Sequence, residues 1–135
     1  MLRAIEPGPA VVVCSTCRLS ADQREDAEGQ RGGALLAQAM RSLQQADPAL
    51  SAVAVQETAC LFACQQHCTV HLRASGKIGY VLGRFTPTEE AARAILEYAT
   101  LHAQSAEGVV PYGQWPEGVK GQFIARTPPE GFVCA

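Results

Sequence analysis

No segment of this sequence approaches the ~18 uninterrupted apolar residues of a membrane-spanning helix. Nor does a basic stretch followed by a long apolar run open the chain, because Glu6 and Pro7-Gly8-Pro9 interrupt its first thirteen residues. A cytoplasmic protein with no membrane partner is the expectation. A surplus of one charge is also missing: the formal net charge of -2 offers no broad attraction to a phosphate backbone, so nucleic acid is not expected as a partner. No glycine-rich phosphate loop follows either candidate parallel strand, and Glu57, Glu89 and Glu90 form no acid-base pair. With no internal repeat and no low-complexity tract, residues 1–135 read as a single domain.

What is present is cysteine. Five of the six cysteines fall in two short segments, Cys14-Ser15-Thr16-Cys17 and the run Cys60 to Cys68, in which Cys60, Cys64 and Cys68 recur every fourth residue. Such clustering in a reducing compartment points to metal or redox chemistry rather than to a structural disulfide framework. Cys134 reads as a free surface thiol.

The pattern around these segments is α/β. Ala10-Val11-Val12-Val13 is a β-prone run ending in Cys14, and the polar stretch Arg18 to Gly33 is a loop. Leu35, Leu36, Ala39, Met40 and Leu43 then predict a helix over 32–45, stopped by Asp47-Pro48. Val53 and Val55 alternate in a second strand over 51–56. A helix between two parallel strands returns the chain to the same edge, so the two cysteine segments should meet. Residues 70–74 and 77–82 read as a hairpin around Ser75-Gly76, and 88–104 as a second helix with Thr86 or Thr88 as its cap. From about residue 108 an extended tail should wrap over the domain, with Trp115 and Tyr112 as a hydrophobic plug.

This order resembles the thioredoxin-like fold: a parallel strand-helix-strand, an antiparallel hairpin, a C-terminal helix and a wrapped tail. The run Glu-Thr-Ala-Cys-Leu-x-x-Cys-x-x-x-Cys-x-Val from Glu57, the run Gly76-Lys77-x-x-Tyr80-Val81-x-Gly83, and Ala125-Arg126-x-Pro128-Pro129 together resemble a further group. These are small bacterial proteins described as predicted metal-binding and related to the thioredoxin-like [2Fe-2S] ferredoxins. The resemblance implies one-electron transfer by a [2Fe-2S] cluster, with Cys14, Cys60 and Cys64 at ferredoxin ligand positions. The preferred ligand set is Cys14, Cys17, Cys60 and Cys64, and the alternative has Cys68 in place of Cys17. Redox partner proteins would dock transiently, and a homodimer is left open.

Two other readings compete. One is a zinc-binding structural or metal-handling module, since four-cysteine sites with a Cys-x-x-Cys arm are common. The other is a dithiol-disulfide oxidoreductase using Cys14 and Cys17. His67 is a secondary candidate ligand, and His71 and His102 read as packing or exposed positions.

Overall fold

A computed structural model describes residues 1–135. The first strand, β1 (Ala10–Cys14), is buried along its whole length, as a β-branched run in the middle of a sheet should be. The first helix, α1 (Gly32–Ala46), buries Leu36, Ala37, Met40 and Leu43 on one face. It ends where Asp47 precedes Pro48, and the Asp47 side chain accepts from the Ala49 N–H at 3.1 Å to open a single 3-10 turn over Pro48–Leu50. Residues 51–53, expected to open the second strand, instead leave that turn as an irregular bend, so β2 starts later, at Ala54–Thr58, and runs parallel to β1 with Cys14 opposite Thr58.

The hairpin follows as β3 (Val70–Arg73) and β4 (Gly79–Leu82), with Gly76 at φ 74 in its connection. Thr88 caps α2 (Glu89–Gln104), its hydroxyl accepting from the Ala91 N–H at 3.1 Å, while Glu89 and Glu90 complement the exposed amides of the first turn. Both helices share one core with the inward residues of the sheet: Val11, Val13, Val70, Leu72 and Leu82 meet Leu36, Met40, Ile95 and Leu96. Each such aliphatic side chain contributes about 1.5–3 kcal/mol on burial.

The tail is more ordered than an extended wrap. Val110 and Val119 are buried, Trp115 donates its indole N–H to the Val110 carbonyl at 2.8 Å, and Phe123–Thr127 forms a fifth strand, β5. Gly121 at φ 78 supplies the turn into it. The sheet order is β2-β1-β3-β4-β5, so β5 covers the edge that β4 would otherwise expose. No helix is long and apolar enough to cross a membrane.

Candidate functional site

The C-terminal end of β1 hands the chain to Cys14-Ser15-Thr16-Cys17. Ser15 donates its N–H to the Thr58 carbonyl at 2.9 Å, and the Thr16 hydroxyl donates to the Ala59 carbonyl, so this turn is tied to the end of β2. The N-terminus of α1 closes on it from the other side. A Cβ on Gly33 would lie 1.8 Å from the Cys14 carbonyl oxygen, and one on Gly32 would lie 2.4 Å from that of Arg18. The paired glycines are required by close approach, beyond the loop signal they give in the sequence.

Within this enclosure the two thiols have opposite characters. Thr69, fully buried, directs both its N–H (3.3 Å) and its hydroxyl (3.1 Å) at the Cys17 sulfur. Cys17 in turn donates its S–H to Cys14, and this bond, with burial, pushes the Cys17 thiol far up. The same bond is the main reason that Cys14 falls to about 5, against the opposing effect of burial; the Leu61 N–H adds to it. Thr16 Oγ1 lies 3.8 Å from the Cys14 sulfur, but its one proton goes to Ala59, which leaves the Thr16 N–H as that residue's donor. The Cys14 thiol is thus held well below the ordinary cysteine range and the Cys17 thiol well above it.

The second cysteine segment leaves the site. After Thr58 the chain turns outward, with Phe62 at φ 56 and 95% exposed at the apex. Cys60 is exposed and its sulfur accepts the Phe62 N–H at 3.2 Å; Cys64 is exposed at the start of a 3-10 turn. Cys68, at φ 52, turns the other way into the core, where its S–H donates to the Arg18 carbonyl at 3.5 Å. Burial pushes its thiol up to about 12, with the Cys14 charge adding to the effect. Arg84 fixes the loop from outside, donating to Gln66 Oε1 at 2.7 Å and, through its N–H, to the Gln66 and His67 carbonyls.

This geometry corrects the expected cofactor chemistry. The parallel strands do bring Cys14 beside Thr58, but Cys60, Cys64 and Cys68 then diverge, and no group of three or more Cys, His, Asp or Glu side chains is placed to hold a metal ion. Neither the set Cys14, Cys17, Cys60 and Cys64 nor the set with Cys68 fits a [2Fe-2S] cluster, and neither fits zinc. The reason is local: fourfold spacing converges thiols on a helix face, whereas here two positive-φ residues send the three sulfurs in different directions. The dithiol-disulfide reading is corrected as well, because all six cysteines are free and the Cys17 sulfur is committed to Thr69 and Cys14. His67 meets no other ligand, and its buried Nδ1 has no partner.

Sequence reasoning found Cys14 and Cys17 but missed the groups that act on their sulfurs. Leu61 acts through its backbone, which carries no signal in side-chain identity. Thr69 had a weak one, as a polar residue between Cys68 and a buried strand.

The sequence matches the family described as "Protein of unknown function (DUF1636)" over residues 11–129. No curated protein sequence matches the chain. Among solved structures, it is similar to a thioredoxin-like [2Fe-2S] ferredoxin from Aquifex aeolicus, at 21% identity and a TM-score of 0.52, over 95% of this chain and 100% of that one. At that identity the likeness shows the α/β thioredoxin-like fold.

Proposed function

This chain belongs to the DUF1636 family, and we propose that its fold carries a single nucleophilic thiolate, Cys14, which forms a covalent adduct with a small, soft electrophile. What supports this is the setting of one sulfur, enclosed at the N-terminus of α1, with its pKa lowered to about 5 mainly by the Cys17 side chain and the Leu61 and Thr16 backbone adding to it. Donors so placed keep the thiolate populated at neutral pH, where an ordinary cysteine is mostly protonated. In the step itself the sulfur lone pair forms the new bond, and the leaving group departs with the electrons of the bond that breaks. Cys17 keeps its proton throughout, so one sulfur acts and the other positions it. The Cys14 side chain is 4% exposed, which restricts attack to electrophiles with a slim reactive end.

Peptide-resolved alkylation with iodoacetamide at pH 6 tests the reading. Cys14 is expected to be carboxamidomethylated well before Cys17 and Cys68, which share its burial but hold their protons. Labelling of the three buried cysteines at equal rates would overturn it.

A further inference from the structure

Both helices pack on one face of the sheet, and side chains alternate across it, so the residues between the core positions point to the helix-free face. These are Val12 on β1, Gln56 and Thr58 on β2, and His71 and Arg73 on β3; the register sets Val12 between Gln56 and His71. Together with residues 1–5 as one wall and Leu61 at the far end, they line an open cavity of about 1120 Å³. The functional site described above does not use it, although Thr58 and Leu61, which flank Cys14, close one end.

The polar groups on this lining are unbalanced in one direction. Glu57 is its only acid, and its carboxylate is already held by Arg41 at 2.6 Å. Arg73 has no carboxylate within 4 Å; its guanidinium reaches only Gln56 Oε1, at 3.4 Å. Nε2 of His71 also lacks a hydrogen-bond partner. A guanidinium without a counterion presents a planar fork of donors that matches a carboxylate in two parallel bonds. Beside it Val12, Leu61 and Ile5 offer apolar surface.

We propose that the helix-free face of the sheet binds a small amphipathic carboxylate, its head on Arg73 and its apolar body over Val12 toward Leu61. The register sets its length. Arg73 lies opposite Ala10 and Thr58 opposite Cys14, so the two ends are four residues apart along β1, about 13 Å at ~3.3 Å per residue. That span suits a medium-length chain. It also places the apolar end near Cys14, but the inference rests on the sheet face and not on the reactivity of that thiolate.

The test is titration of the full chain with octanoate, followed by amide chemical shifts. Saturable shifts at Val12, Gln56, His71 and Arg73 are expected, weakened at least tenfold by Arg73→Gln and unchanged by Arg24→Gln on the remote polar loop. Octanol, which has the same chain and no charge, should not saturate these signals. Arg73 is exposed, so its replacement leaves the fold intact. The proposal is overturned if octanoate produces no saturable shifts on this face, if Arg73→Gln binds as well as the unaltered protein, or if octanol binds equally. Because alkylation of Cys14 is read separately, failure here leaves the thiolate reading standing, and the reverse also holds.

Discussion

Cys14 and Cys17 stand three positions apart and shift in opposite directions because the contact between them favours the charged form of one and the neutral form of the other. Thr69 works against the rise at Cys17, since its N–H and hydroxyl both donate to that sulfur, and the contact with Cys14 together with burial outweighs it. His102 is a comparable case of a polar group settled by a single contact. It is 2% exposed, and its Nε2 meets the Ile78 carbonyl at 2.6 Å, joining α2 to the start of β4. Burial lowers its pKa against the effect of that carbonyl, and the nearby Lys77 charge lowers it further; Tyr80 packs edge-on against the ring. Replacing it, His102→Ala, removes a buried hydrogen bond and leaves a cavity. An expected loss of about 2–4 kcal/mol can be read from urea denaturation. A loss under about 0.5 kcal/mol would mean that this contact does not hold the helix to the sheet.

At the scale of elements, the approach of α1 to the end of β1 is what encloses Cys14, and it depends on Gly33. Gly33→Ala would press a methyl group into the Cys14 carbonyl, so either the helix or the strand end must move. The expected cost is about 3 kcal/mol, with accelerated alkylation of Cys17 as its enclosure loosens. Thermal unfolding and peptide-resolved labelling read the two effects separately. The elements themselves were largely legible in the sequence, since Val11 to Val13, the Leu36-Met40-Leu43 stripe and the Thr88 cap are periodic or local signals. What was not legible was set by contacts between distant residues. β5 was missed because Phe123 and Ile124 sit in a glycine- and proline-rich stretch, and only the open edge of β4 makes them a strand. The start of β2 was displaced because the chain leaves the Pro48–Leu50 turn through an irregular bend over residues 51–53, which propensity alone does not reveal. The same distinction governs the cysteines: spacing showed which ones cluster in sequence, while the positive φ values of Phe62 and Cys68 decided where their sulfurs went.

For the molecule as a whole, buried titrating groups narrow the range of pH over which the fold is most stable. His71 and His102 are both held neutral mainly by burial, with folded values below the ordinary 6.5. The unfolded chain therefore takes up their protons first as pH falls, so their contribution is complete above about pH 6.5 and is lost below it. Cys68, raised to about 12 from 9.0, acts on the other side. Its unfolded thiol ionises first, and stability should decline as pH rises from about 9 to 12. A melting profile falling on both sides, with the alkaline limb flattened by Cys68→Ala, is the expected result; an alkaline limb that is the same in this variant would contradict the assignment. The depressed Cys14 contributes in the opposite sense between these limits, since its stabilisation grows as pH rises from about 5 toward 9. The central claim is that Cys14 is a thiolate held by Cys17, and the most direct measurement is the alkylation rate of Cys14 against pH in the unaltered protein and in Cys17→Ala. The account predicts a midpoint near pH 5 that moves up by at least two units when Cys17 is removed. A midpoint above pH 8 in the unaltered protein, or one that Cys17→Ala does not move, would contradict it.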